Sequence, residues 1–582
     1  MSTRNDRVDN PVGDEDRPWF AYYGPSVPRH IGPLHESSLG EMVAAAAERH
    51  GDADAFTNMG GSLSFREVDA LATRFAAFLQ HDLKLRKGDR IVIQMPNVLQ
   101  YPVAFFGALR AGLIVVNANP LYTTREMAGV FKDAEPRAIV VLANFAHKVE
   151  EVLPSTSIEH VIVTKVGDLL PRPKGALVNL VADKVKKMVP AYSLPAAISF
   201  RKALSQGREE RFEDPGVSAD DIALLQYTGG TTGGAKAAVL SHRNMLSNQE
   251  QFMSQIRATL GEESQSTIIA ALPLYHVFAL TVNCLGFYRF GCRTVLITNP
   301  RDIKGFVKEL AKARPDGIML VSTLASALLD EPTFKEIDHE RLRLTVAGGM
   351  AVRSSVAERW RELVGTDIVE GYGLTEASPV VSVNPTHMPP RVGTIGVPLP
   401  STDLRVVDDE GTPLPVGQAG ELAVRGPQVM QGYWHNAEET AKVLTDDGWL
   451  LTGDVAVMDD DGFFTIVDRK KEIIVASGFN VYPGEIEDAA MMHPLVVEAG
   501  AIPVADERAG EVPKLFVVRR DDSLTEEALR AFLRERLTGY KRPRQIEFID
   551  ELPKTNVGKV LRRALREREA AAQAAQAAQT AE

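Results

Sequence analysis

The chain reads as an α/β protein of more than one domain: a large, layered N-terminal α/β domain carrying a β-rich subdomain, then a small α+β C-terminal domain. Three observations predict this. Its 582 residues exceed what one core buries, since single cores stop growing at about 250–300 residues. Short apolar runs alternate with helical patterns from about residue 38 onward, the signature of parallel strands joined by helices. Past Pro398 the texture changes to alternating apolar residues with tight turns, and after Lys470 a unit of roughly 100 residues mixes helix and strand.

The elements follow in order. Residues 1 to about 33 carry charge and proline with little periodicity, so an N-terminal extension over 1–34 is expected to be loosely ordered. "RIVIQM" (Arg90 to Met95) reads as a buried strand, "QYPVAFFGALRAG" as a helix ending near Gly112, and "LIVVNAN" as the next strand. "AIVVLA", "HVIVTK", "TIIAALPL", "TVLITN", "GIMLVS" and "RLTVAGG" repeat the theme. "GALVNLVADKVKKMVPAY" has apolar positions 177, 181, 185 and 188 on one helical face, flanked by lysines. It reads first as a surface helix packed on the core, and second as a contact with a membrane surface. "TDLRVVDDEGTPLPVGQAGELAVRG" and "DDDGFFTIVDRKKEIIVASG" read as antiparallel hairpins. The boundary is placed at Asp468-Arg469-Lys470-Lys471, giving a large domain over 35–468 and a small one over 469–568. The Ala/Gln-rich tail, 569–582, either extends a helix or frays.

Composition excludes several classes. The formal net charge of −12 argues against nucleic-acid binding. Two cysteines, Cys284 and Cys292, make no disulfide framework and read as buried thiols of a cytoplasmic protein. The polar start lacks the apolar core of a signal peptide, and no run of ~20 apolar residues occurs.

The chemistry concentrates in five stretches. "YTGGTTGGAK" (Tyr227 to Lys236) packs glycines, threonines and one lysine into a loop suited to phosphate. It lacks the Ser or Thr that follows the lysine of the common phosphate loop. "VEGYGLTEASP" offers Tyr372 to stack on a base, Thr375 for a phosphate and Glu376 for Mg²⁺. "LLTGDVAVMDDDG" holds Asp454, which suits the two hydroxyls of a ribose. "VDRKKEIIVASGFNVYPGEIE" carries Arg469, and "LPKTNVGKVLRRALRERE" presents Lys559 on a glycine turn. Singly, each is equally well a turn former, a surface ion pair or a solvated charge.

Together and in this order they resemble the adenylate-forming superfamily of acyl-CoA synthetases, luciferases and adenylation domains, from about residue 35 to 568. "MPNVLQYPVAFFGALRAGLIVVNANPLYT", "LPLYHVFALTVNCL", "LITNPRDI" and "GPQVMQGYW" are most similar to the bacterial long-chain fatty acyl-CoA synthetases. The resemblance implies a small mobile C-terminal domain over an active site. It implies that Thr228, Gly229, Gly230, Thr231, Thr232, Gly233 and Lys236 contact the ATP phosphates, with Mg²⁺ on Thr231 and Glu376. That placement of the metal explains why no hydroxyl need follow the lysine. Gly371 and Tyr372, helped by Gly348 and Gly349, would line the adenine site. Thr375 would touch the α-phosphate, and Asp454 and Arg469 the ribose. Lys559 would bridge carboxylate and α-phosphate. His276 and Gly349 would meet the acyl substrate, Gly478 would meet CoA, and Lys471 would be the hinge. "LPLYHVFAL" and "VSTLASALL" read equally as acyl-tunnel lining or as core.

Two departures stand out. Ala237 replaces the glycine that usually follows the loop lysine, which is harmless if its φ is negative at a strand entrance. "TVAGGM" has two glycines where close relatives often carry three. The implied activity is a long-chain fatty acid–CoA ligase working through an acyl-AMP. The alternative is a fatty acyl-AMP ligase loading a carrier protein. A nucleotide-dependent regulator without turnover is disfavoured by the presence of both Glu376 and Lys559. The implied partners are fatty acid, ATP and CoA, with peripheral contact at the inner membrane surface and a homodimer as further expectations.

Overall fold

The computed structural model describes residues 17–228, 235–261, 265–476, 479–506, 509–555 and 560–580, the side chains of 574–580 excepted. Two compact units emerge. One comprises 19–403 and 424–450. The other comprises 404–423 and everything from 451, together with the chain up to Pro18.

The larger unit holds two sheets. In the seven-stranded sheet the order is Ile198–Ser199, His160–Thr164, Ala138–Leu142, Arg90–Gln94, Ile114–Asn117, Ile222–Thr228 and Lys236–Ser241. All its pairs are parallel except the last, a hairpin. Strands such as Ala138–Leu142 are buried along their whole length because helices cover both faces, which is why they read as continuous apolar runs. The nine-stranded sheet has a parallel centre, Ile368–Gly373, Leu344–Ala347, Gly317–Leu320, Thr267–Ala270, Arg293–Leu296 and Asp54–Asn58, with antiparallel strands at both edges.

A buried polar seam ties the two sheets together. Asn97 donates to the carbonyls of Ala270 (3.0 Å) and Leu272 (2.9 Å) and accepts from the Leu274 N–H (2.8 Å). Tyr101 donates to Leu274 O and to Asn117 Oδ1, each at 2.8 Å. Asn117 reaches Gln226, and Gln226 donates to Tyr275 O at 3.1 Å. Buried polar groups satisfied this way fix one arrangement of the loops they join. These loops leave the carboxyl ends of parallel strands, the usual place for ligands in open α/β sheets.

The other unit contains a four-stranded sheet, ordered Asp403–Val407, Gly420–Arg425, Leu450–Met458, Phe464–Arg469. The last two are antiparallel, and Gly411 and Gly462 turn with φ of 83° and 82°, as the alternating pattern predicts. Its five-stranded sheet packs against the helices Pro483–Met491 and Glu526–Arg534 over Leu515, Val517, Leu529 and Leu533. Arg562, nearly buried, reaches Glu487 at 2.7 Å and also contacts Glu472, with Asp468 at 3.9 Å. Burial pushes the carboxyls of Glu487 and Asp468 up, and Arg562 opposes that. The final helix, Arg562–Thr580, runs through into the Ala/Gln tail.

Two expectations are corrected. The stretch before residue 34 is not loose over its described part. Trp19 is buried, Tyr23 donates to Pro398 O (2.7 Å), and the Ile31 N–H donates to Ser401 Oγ (3.0 Å). Isolated anchors pairing some 370 residues away leave no periodicity in the sequence. The helix Lys174–Leu180 and the π-turn after it leave most of the expected apolar face outside: Val181 is half-buried, but Leu177, Val185 and Met188 are exposed, as is Leu180 beside them.

Candidate active site

The hairpin Ile222–Thr228/Lys236–Ser241 sets Thr228 opposite Lys236 and Tyr227 opposite Ala237. Gly229, Gly230, Thr231, Thr232 and Gly233 lie outside the described residues. Ala237 sits inside the second strand with negative φ, as anticipated, and is fully buried. The helix that follows starts with a capping box, Ser241 with Asn244. His242 is buried and accepts the Leu39 N–H at 3.1 Å, and desolvation pushes its pKa down to about 4. The Ser-His pair beside the loop is therefore structural.

Lys236 does not point into bulk water. Its ammonium pairs with Glu439 and lies 5.3 Å from the centre of the Tyr433 ring. Lys236 first, then Lys442, holds the Glu439 carboxyl down at about 2. Tyr433 also donates its hydroxyl to Glu376 Oε1 at 2.8 Å, and the Met430 N–H donates to Glu376 O at 2.8 Å. Burial, reinforced by the Glu376 and Glu439 charges, keeps the phenol protonated. One tyrosine thus touches both the candidate phosphate lysine and the candidate metal carboxylate.

Glu376 and Thr375 ride on a single 3₁₀ turn, Thr375–Ala377, directly after the strand Ile368–Gly373. At Gly373 an added Cβ would lie 2.2 Å from Pro379 O, so only glycine fits this tight return. Tyr372 is half-buried beside it. Gly348 and Gly371 approach closely: a Cβ on Gly348 would lie 3.4 Å from Gly371 O and 3.3 Å from the Phe278 ring. The loops of "TVAGG", "EGYG" and "LYHVF" therefore meet. Gly349 has φ +82°, which favours glycine. Glu370, buried, accepts from the N–H groups of Val352 (2.8 Å) and Gly393 (3.3 Å) and braces this corner.

His276 caps a short helix through a 3.4 Å contact with the Phe278 N–H, and burial lowers its pKa to about 4. It is a neutral imidazole at pH 7. Ala325, Leu328 and Leu329 of "VSTLASALL" sit in the core cluster around Trp360, so these three are core. Both cysteines are buried free thiols.

In the other unit Asp454 and Arg469 stand directly opposite in their strand pair. Asp454 Oδ1 lies 3.1 Å from Arg469 Nε, an ionic contact outside hydrogen-bond geometry. Lys471 is exposed on the next turn, and partial desolvation together with Arg469 lowers its pKa. Gly478 and Lys559 lie outside the described residues, although Lys554 and Val560, flanking the latter, form an antiparallel bridge.

The profile of the AMP-binding enzymes matches residues 43–434, and that of their C-terminal domain matches 485–559. The chain belongs to the AMP-binding enzyme family. Within it, this chain is 52% identical over 552 residues to a long-chain-fatty-acid–CoA ligase of Salmonella typhimurium, covering 94% of this chain and 98% of the relative. A long-chain-fatty-acid–CoA ligase of Bacillus subtilis is 36% identical, covering 95% and 98%. Among solved structures of similar fold are an anthranilate CoA ligase with anthranoyl-AMP (TM-score 0.82, 24% identity, 93% and 99% covered) and ATP-bound MatB of Rhodopseudomonas palustris (TM-score 0.79, 28% identity, 91% and 98% covered).

Sequence reasoning missed Tyr433, Glu439, Glu370 and the Gln226 seam. Tyr433 stood inside the noted "GPQVMQGYW", next to the acidic "NAEET", and that pairing was the available signal.

Proposed function

We propose that this protein is a long-chain fatty acid–CoA ligase. The observation that carries the reading is the 52% identity to a ligase of that activity along essentially the whole of both chains. A carboxylate oxygen attacks the α-phosphorus of ATP and pyrophosphate leaves. The CoA thiol then attacks the acyl carbon of the adenylate and AMP leaves. Adenylyl transfer to the carboxylate leaves the protein little covalent work, so its residues position the reactants and offset charge.

In this reading Lys236 exchanges Glu439 for the ATP phosphates, a charge-for-charge replacement. Thr228 and the loop 229–233 supply further donors. Gly348, Gly349, Gly371 and Tyr372 form the adenine wall, and Thr375 faces the α-phosphate. Asp454 and Arg469, already paired, take the ribose. Lys559 bridges the carboxylate and the α-phosphate in the first step. A turn about Lys471 then brings Gly478 towards CoA. His276 and Gly349 border the acyl group.

Among the described residues no cluster of three metal-ligating side chains occurs. Mg²⁺ bound mainly by phosphate and water needs only one or two protein oxygens. Glu376 fits: a hard carboxylate, oriented by Tyr433, with Thr231 as the expected second ligand. When bound, the metal neutralises phosphate charge. The chain's own contribution is to hold Glu376 aimed, through Tyr433 and the Met430 N–H.

No helix among the described residues is long and apolar enough to cross a membrane. A cytoplasmic enzyme touching the membrane surface, where fatty acids partition, fits the reading, as does a homodimer. The test incubates purified protein with ATP, Mg²⁺ and radiolabelled palmitate, with and without CoA. Palmitoyl-CoA with AMP and pyrophosphate is expected. Acyl-AMP without thioester until a carrier protein is added would favour the acyl-AMP ligase instead.

A further inference from the structure

Thirteen large apolar side chains are more than a third exposed among the described residues, and four of them fall within residues 177–188. Leu177 is 61%, Leu180 55%, Val185 70% and Met188 52% exposed. Such a cluster is costly in water and marks a contact surface. The opposite side of the same helix is firmly anchored. A Cβ on Gly175 would lie 2.3 Å from Gly167 O, so the helix backbone presses on that loop. One turn on, Asn179 accepts the Gly167 N–H at 2.7 Å and donates to Asp168 at 3.1 Å. At 100° per residue, Leu177, Leu180 and Lys184 project away from the anchored Gly175–Asn179 side. The π-turn Val181–Val185 then continues the exposed face to Met188.

The charge around this face is the reverse of the molecule's. The chain carries −12 overall, yet between Arg172 and Met188 five basic side chains stand against one acidic, Asp183. Lys184, Lys186 and Lys187 are all exposed and interleave with Val185 and Met188. A second copy of this acidic chain would meet that collar only through a locally acidic patch. A surface that is negative everywhere, with apolar chains beneath its headgroups, matches both features at once.

We propose that the segment 172–188 docks on an anionic lipid bilayer, with Leu177, Leu180, Val185 and Met188 entering the interface and the lysines meeting the lipid phosphates. This deepens the membrane contact advanced above and rests on it. It assigns that contact to a fixed element of the larger unit.

The experiment is co-sedimentation of the full-length protein with phosphatidylcholine vesicles, with and without phosphatidylglycerol. No ATP or fatty acid is added, so the outcome is independent of the ligase reading. The wild type is expected to partition onto the anionic vesicles and to be released by salt. Lys186→Gln/Lys187→Gln should lower partitioning about 25-fold, near five-fold per lysine at such a surface. Leu177→Gln/Val185→Gln should lower it ten-fold or more on the ~25 cal/mol per Å² scale of apolar burial. Both pairs are exposed, so their urea melts should match the wild type, and Val392→Gln, another exposed site, should bind normally. Unchanged partitioning of both double variants would overturn the assignment to this face while sparing membrane contact. Absence of wild-type binding would overturn both. Self-association abolished by Leu177→Gln/Val185→Gln, without vesicle binding, would make the face a copy interface.

Discussion

Ala237→Gly restores the glycine usual after the loop lysine, and its effect is calculable. Ala237 lies in a strand with negative φ, so the native conformation already suits alanine. Glycine then costs about 0.4–1 kcal/mol through the freer unfolded chain. The methyl is 1% exposed and belongs to the cluster containing Val116, Tyr227 and Val239. Removing it costs about 0.8 kcal/mol more. The sum, about 1.5 kcal/mol, is roughly a ten-fold shift in the folding equilibrium. Trp19, Trp360, Trp434 and Trp449, the only tryptophans, all lie in the larger unit, so tryptophan fluorescence in a urea melt reports that unit alone. The midpoint should fall, while the KM for ATP stays within about two-fold because the backbone is unmoved. A variant as stable as the wild type, or a several-fold drop in that KM, would refute the reasoning.

Four further outcomes are expected. Lys559→Ala should slow adenylate formation ~100-fold, about 3 kcal/mol, yet spare thioester formation from supplied acyl-AMP; equal loss in both half-reactions rejects the two-step role. Glu376→Gln should fail in Mg²⁺-dependent turnover, and an unchanged Mg²⁺ titration would remove it from the metal site. Tyr433→Phe loses one hydrogen bond to that carboxylate and should raise the Mg²⁺ requirement about five-fold, near 1 kcal/mol, as read from the same titration. His242, with its folded pKa lowered to about 4, contributes stability present above its unfolded value of 6.5 and lost as pH falls towards 4. That is about 3 kcal/mol, so urea midpoints should fall between pH 6.5 and 4 less steeply in His242→Gln than in the wild type.

Strands such as Ala138–Leu142 were plain in the sequence because helices cover both faces, which forces an uninterrupted apolar run. The turn leading into Phe464–Arg469 was legible as part of a hairpin, but its partner strand Leu450–Met458 was not, because its burial does not alternate, and register alone makes Asp454 and Arg469 neighbours. Trp19 and Tyr23 were not, because an anchor whose partner is remote leaves no local period. Tyr433 was hidden for a related reason. Its neighbours Glu376 and Lys236 lie 57 and about 200 residues away, and only folding places one ring against both. The Lys174–Leu180 helix misled in the other direction, for its stripe is the one a core-facing helix would have.

The Arg562 cluster bears on how the role of Lys559 is to be probed. Deleting the chain from residue 556 removes Lys559 and also strips the shared counter-charge from Asp468, Glu472 and Glu487. An uncompensated buried carboxylate is strongly destabilising, typically by about 3–5 kcal/mol when one partner of a pair is lost. Glu472 lies in the same 3₁₀ turn as Lys471, so the damage would reach the expected hinge directly. Loss of activity after such a truncation therefore says nothing about Lys559, whereas a single substitution that leaves Arg562 in place does.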